Sequence, residues 1–423
     1  MASDTRAAHA HARPPAGSAV PAGSDAERWR MLGWICAAEL GALSLWFSAT
    51  AVIPMLDTRW MTPSAQAWVS MAVTLGFVVG TAVSAVLTLV DALGARPLFA
   101  VAAVVGAIAN AALLVWIDAL APVLACRFVT GLAMAGTYPP AMKLAASWFV
   151  RDRGLAVGSL VGALTFGAAL PHLLNFVGGL AWPVVIVTTS VAALAGTAVM
   201  LGIVRDGPHA TVRAPFDPRA VGALVRTRGV VLACLGYFGH MWELYAMWTW
   251  IGLYLIEGFT RAGVPAAARL GSLVTAVVIA AGGVSCVVAG VAADRIGRTA
   301  TTMLAMVASG TCAALIGFAF GAPLWLTLVA LAWGATIVAD SAQFSTAVSE
   351  LAPREYIGTA LSLQTCLGFL LTLVSTRLVP TMVEAVGWAW AFAFLAPGPL
   401  VGTLAMWTLR RLPESTKLAL GRR

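Results

Sequence analysis

Charge is scarce in this sequence. Asp, Glu, Lys and Arg make up 10% of the 423 residues, against 60% hydrophobic residues. A soluble globular domain carries roughly 25% charged residues. A chain this long and this poor in charge cannot cover a water-facing surface, so lipid must be its solvent. Paired cysteines are lacking as well. Cys36, Cys126, Cys234, Cys286, Cys312 and Cys366 all fall within apolar runs, and none forms a C-x-x-C pair. No disulfide framework or zinc site is implied, and the thiols read as small buried hydrophobes. There is no G-x-x-x-x-G-K-[ST] loop, which argues against a pump that hydrolyses ATP by itself. G-x-S-x-G and H-E-x-x-H are also missing. The expectation is a protein that is not an enzyme and needs neither cofactor nor metal.

What is present is a series of long apolar runs. Twelve reach the roughly 17–25 residues a bilayer demands, at about 31–55, 65–90, 97–117, 119–142, 155–178, 182–204, 229–256, 266–292, 300–320, 323–349, 356–383 and 387–409. They do not alternate as strands of a membrane barrel would, so helices are expected. The formal net charge of +8 is not a nucleic-acid footprint, because the basic residues sit in short clusters between the runs. With the N-terminus inside, twenty-one of the 26 Lys and Arg residues lie in inner loops and tails, and Arg59, Arg261 and Arg269 lie outside. The positive-inside rule then places both termini in the cytoplasm.

The runs fall into two sets. Glu39 opens "ELGALSLW" and Glu243 opens "ELYAMWTW", 204 residues apart. Asp91 and Gly94 recur 203 residues on as Asp294 and Gly297, and Ser159 recurs as Ser362 at the same offset. The expected organisation is a disordered cytoplasmic tail (1–30), a six-helix bundle (31–204), a cytoplasmic linker (205–228), a second six-helix bundle (229–410) and a cytoplasmic tail (411–423).

"GVAADRIGR", Gly290 to Arg298, is similar to the G-x-x-x-D-R-x-G-R loop signature of the major facilitator superfamily. The earlier copy, "LTLVDALGAR", keeps Asp91, Gly94 and Arg96, and "RFVTG", Arg127 to Gly131, resembles the family's fourth-helix motif. The resemblance covers nearly the whole chain. It implies an all-α membrane protein with twelve transmembrane helices in two pseudo-symmetric six-helix bundles, around a central cavity that opens to alternate sides. "GYFGHMWELYAMW" and "YPPAMKLAASWF" look similar to a bacterial branch often linked to nitrate-, nitrite- or cyanate-like permeases. Residues 65–90 and 271–292 lack the arginine that nitrate carriers of the family place in their second and eighth helices. The branch resemblance implies the bacterial cytoplasmic (inner) membrane.

Candidate residues follow. In this architecture the first helix of each bundle lines the cavity. The repeat-equivalent Glu39 and Glu243 therefore become candidates for proton coupling or substrate binding, with Trp46 and Trp250 two helical turns on along the same faces. Asp340, with Trp333 seven residues before it, is a third intramembrane acid, a residue type that is rare and functional by default. Arg127 is the basic candidate, able to pair with Glu39 or to attract an anion. His240 sits three residues before Glu243 and can tune it. Tyr237 and Tyr138 join the tryptophans as cavity aromatics. Asp91, Gly94, Arg96, Asp294, Arg295, Gly297 and Arg298 make a conformational latch, in which an aspartate faces the positive end of a nearby helix.

The expected function is secondary active transport of a small solute by alternating access, driven by the proton gradient. A carboxyl group in a partly dry cavity can take a proton from one side and release it to the other. The alternatives are an exporter of organic cations or amphipathic drugs, and a membrane sensor that kept the fold and lost transport. The partners are the solute, the proton gradient and the bilayer. No nucleic acid is expected, and a monomer suffices.

Overall fold

The computed structural model describes residues 25–53, 56, 60, 62–149, 152–177, 181–209, 220–353 and 356–422. Among them there is no strand. In lipid every backbone N–H and C=O must be satisfied within its own segment, and a helix does this. The first half holds α1 (Asp25–Val52), α2 (Pro63–Val86), α3 (Ala95–Trp116), α4 (Leu120–Trp148), α5 (Gly154–Val177) and α6 (Trp182–Gly202). The second holds α7 (Arg228–Arg261), α8 (Ala267–Ile296), α9 (Arg298–Ala319), α10 (Pro323–Leu351), α11 (Ile357–Trp390) and α12 (Pro397–Arg411). Ten of these are long and apolar enough to cross a bilayer by length and composition. The other two are α7, which carries His240, Glu243 and a run of aromatics, and α12, which has 15 residues. Prolines open α2, α6, α10 and α12, where the missing N–H costs no helical bond.

The 203-residue repeat extends into the backbone. Helix α4 breaks between Met134 and Tyr138, and α10 breaks between Ile337 and Ser341, at the same offset. Pro139 and Pro140 explain the first break, since neither can donate to the preceding turn. The second contains no proline and turns through Val338, Ala339 and Asp340. Gly94 and Gly297, which cap the starts of α3 and α9, share a left-handed φ of 81° and 94°. Only glycine takes that conformation cheaply.

Within the first half α1 packs on α5 and α6, and α2 on α4; in the second, α7 packs on α11 and α12, and α8 on α10. The halves meet chiefly along α5 with α8 and α2 with α11. At the α5–α8 seam backbones touch. A Cβ on Gly162 would lie 2.8 Å from the Gly283 carbonyl oxygen, and one on Gly158 would lie 3.1 Å from that of Cys286. Small residues permit this approach. The outer surface carries large apolar side chains such as Ile108, Val115 and Phe318, 64–76% exposed, as a lipid-facing wall requires.

Both chain ends differ from the sequence-based expectation. Residues 25–30 are helical, within α1, rather than part of a tail; residues 1–24 of the expected tail lie outside the described part. Residues Pro413–Gly421 form a 3-10 helix docked on the second half, with Leu418 fully buried and the Ala419 N–H donated to Glu350. The linker contains a short helix, Ala220–Arg226; its residues 210–219 lie outside the described part.

Candidate functional site

A cavity of about 140 Å³ lies between the halves. One end is closed by an aromatic cluster drawn from both halves. Trp46 of α1 lies 5.4 Å from Tyr245 of α7, and Phe77 of α2 lies 4.6 Å from Phe369 of α11. Trp46 also meets Phe77 edge-on at 5.1 Å, the arrangement ring quadrupoles favour. From this plug the cavity runs toward the face where α1 begins and α12 ends, called here the terminal face. Its walls there are the second segments of α4 and α10 and the first turns of α5 and α11, including Tyr138, Met142, Val157, Ser345 and Ser362. The break in α4 puts Tyr138 on the wall, and the break in α10 puts its repeat equivalent Ser341 there. Among the described residues no charged side chain lines the cavity.

The candidate acids stand behind this wall. Glu39 and Glu243 are 0% and 1% exposed, and neither lines the cavity. Glu243 is held by two donors: the Trp333 indole N–H at 2.6 Å from one oxygen and the Ser309 hydroxyl at 2.9 Å from the other. Among the described residues Glu39 has no hydrogen-bond partner for either oxygen. Cavity-lining Tyr138 lies within electrostatic reach of it. Asp340 occupies the α10 break, with His240 Nδ1 2.9 Å from its Oδ1. That approach is close enough for an ion pair but is not aligned as a hydrogen bond, so Oδ1 keeps an unfilled acceptor. The structure thus gathers Glu243, Trp333, His240 and Asp340 on three neighbouring helix segments of the second half. Trp333 serves Glu243 rather than Asp340.

Arg127 is fully buried and donates to the Leu45 carbonyl at 2.9 Å and to the Trp46 carbonyl. It clamps α4 to α1, and among the described residues no base is within ion-pairing distance of Glu39. Trp46, Tyr138 and Tyr237 line the cavity. Trp250 donates to the Thr376 carbonyl at 3.1 Å and borders a second, smaller cavity of about 20 Å³ on the far side of the plug. Among the described residues there is no cluster fit for a metal.

On the terminal face the Asp294 carboxylate meets the N-terminus of α5, where a Cβ on Gly154 would lie 3.1 Å from Oδ2. The positive end of the α5 dipole favours that placement. Arg298 donates to both oxygens of Glu350, at 2.8 and 2.7 Å, and to Gln343 at 2.9 Å, while Arg295 is exposed. Arg96 donates instead to the Met200 and Leu201 carbonyls at the end of α6. The Asp91 side chain lies outside the described part. Sequence reasoning missed Phe77, Phe369, Ser345 and Thr365 as cavity residues. Ser341 was within reach of it, as the repeat partner of Tyr138.

Two broken-helix halves around a central cavity define a membrane transporter architecture. The chain belongs to the Major Facilitator Superfamily, whose model matches residues 35–376 and 270–423. The solved structure of a mutant of the nucleoside transporter NupG is similar over 90% of this chain and 99% of that one, with 12% identity and a TM-score of 0.71. A D-xylose–proton symporter shares 17% identity over 90% of this chain and 98% of its own (TM-score 0.68). A partially occluded inward-open form of the xylose transporter XylE from E. coli shares 14% over the same shares (TM-score 0.69). At these identities the likeness is one of fold. No curated protein matches the chain by sequence.

Proposed function

We propose that the chain is a proton-coupled secondary transporter of a small solute, working by alternating access in the bacterial cytoplasmic membrane with both termini in the cytoplasm. One observation carries the coupling: two repeat-equivalent glutamates, both buried, stand behind an uncharged cavity between the halves. A buried ionised carboxylate without a counter-charge costs several kcal/mol (about that order after relaxation), and among the described residues neither glutamate has an ion-pairing base. The charge state of Glu39 and Glu243 is therefore tied to whether the cavity gives them a path to water. Rocking of the halves on the α5–α8 and α2–α11 seams opens that path to one side and then the other. The neighbours named as a nucleoside transporter and as proton–xylose symporters agree with a coupled carrier of uncharged solutes.

The test is uptake into proteoliposomes under an imposed pH gradient. Glu243→Gln should abolish accumulation against a gradient while exchange of solute across the membrane survives at least in part. If Glu39→Gln, Glu243→Gln and Asp340→Asn each accumulate solute as the parent does, the coupling reading is wrong. A second reading, export of amphipathic compounds, is favoured by the aromatic wall and would show as drug efflux in cells.

A further inference from the structure

We infer that the central cavity takes an uncharged solute with one flat ring that carries hydrogen-bonding groups, a deepening that rests on the transport reading above. Size is the first ground. At about 140 Å³ the cavity is close to one of about 150 Å³ that takes up a single benzene molecule. The second ground is the wall itself. Trp46, Phe77, Trp248 and Phe369 offer ring faces and edges that suit a flat partner.

The third ground is a set of hydroxyls with no protein partner. Tyr138, Tyr237 and Tyr245 line the cavity, and among the described residues none of their phenol groups makes a hydrogen bond, whereas Tyr254, away from the cavity, donates to the Ala389 carbonyl at 3.1 Å. The same contrast appears within α10. Thr346 and Ser349 bond back to carbonyls of their own helix at 2.7 Å, while the cavity-facing Ser341 and Ser345 do not. A hydroxyl that makes no bond within the protein keeps its donor and acceptors open to whatever fills the cavity. A wall that leaves three phenols and two serine hydroxyls unspent is complementary to a solute with polar groups on its rim.

The fourth ground is charge. Among the described residues the wall carries none, and Glu39, Glu243 and Asp340 lie off the lining. Among the described residues an anion would meet no cation on the lining, and the guanidinium of Arg127 is turned to the carbonyls of α1. A cation would have to shed its water without a counter-charge, and ring faces repay only part of that cost. An uncharged ring avoids both penalties.

The test uses three ligands of one shape: benzamide, benzoate and benzamidinium, with toluene and xylose beside them. Binding to the purified protein in detergent is measured by titration calorimetry. Benzamide should bind at least tenfold more tightly than benzoate, benzamidinium, toluene or xylose. Tyr138→Phe, Tyr237→Phe and Tyr245→Phe should each keep the fold, and at least one should weaken benzamide about fivefold, the effect of one ordinary hydrogen bond. Tighter binding of a charged member or of xylose, absence of benzamide binding, or three phenylalanine variants all within twofold of the parent would overturn the inference. Counterflow in proteoliposomes separates it from the transport reading. Benzamide that binds but is not exchanged leaves the ligand class standing and sinks transport, and exchange of a charged solute in its place does the reverse.

Discussion

Trp333 and Ser309 each donate to one oxygen of Glu243, while the equivalent Glu39 has neither donor. The repeat has kept the acid and let its surroundings diverge, so the two glutamates are not interchangeable. A hydrogen bond to a charged group is worth about 1.5–3 kcal/mol, and Trp333 does not line the cavity. Trp333→Phe should therefore disturb proton handling without touching solute binding. Accumulation under a pH gradient should fall about tenfold or more and the pH profile of uptake should move, while the dissociation constant of the solute stays within twofold. A parallel loss of binding would mean that Trp333 shapes the cavity instead. At this scale the sequence is half legible. Glu39, Glu243 and Asp340 stood out because a carboxylate in an apolar run is conspicuous. Phe77 and Phe369 did not, because a membrane helix is apolar on both its lipid and its protein faces and has no polar side to orient it. Partners such as Trp333 for Glu243, 90 residues apart in the chain, depend on tertiary placement that no spacing rule contains.

At the scale of elements, Gly131 and Gly334 hold the same post in the two halves. A Cβ on Gly131 of α4 would fall 1.8 Å from the Val73 carbonyl oxygen of α2, and one on Gly334 of α10 would fall 2.1 Å from that of Val278 of α8. In both cases backbone meets backbone, so no side chain can swing away. Overpacking of this kind costs roughly 1–3 kcal/mol or more. Gly131→Ala and Gly334→Ala should each lower the thermal midpoint in detergent by about 5 °C or more. Gly33→Ala on α1, where nothing lies within 4 Å, should hold or raise it through better helix propensity. Equal midpoints for all three would mean that α2–α4 and α8–α10 are looser than described. The twelve spans and the twofold repeat were readable because each covers many residues and the offset of 203 persists from loop to loop. The breaks in α4 and α10 were harder. Pro139 and Pro140 announce the first, but the second runs through Val338, Ala339 and Asp340 with no breaker residue and follows from its repeat partner alone.

For the whole molecule the question is what holds the terminal face in its present arrangement. The Asp294 carboxylate at the N-terminus of α5 bridges the two halves, since Asp294 belongs to α8. The neighbouring Arg298–Glu350 pair lies within the second half, with the docked C-terminal helix on the same carboxylate. Only the first of these contacts spans the two halves, so it alone would change in the proposed rocking motion. An exposed charge at a helix end is worth about 0.3–1 kcal/mol, a two- to fivefold shift in a two-state equilibrium. Asp294→Asn keeps the shape and removes the charge, so the terminal side should open more often by about that factor. The readout is alkylation of Ser345→Cys, a cavity-wall position, by an impermeant maleimide in a background whose six native cysteines have been replaced. In inverted membrane vesicles, which present the cytoplasmic face, Asp294→Asn should raise the labelling rate about two- to fivefold, and the parent should label faster there than in right-side-out vesicles. An unchanged or slower rate would remove Asp294 from the latch. Faster labelling from the right-side-out preparation would reverse the orientation assigned from the loop charges, and with it the side on which the acids receive their protons.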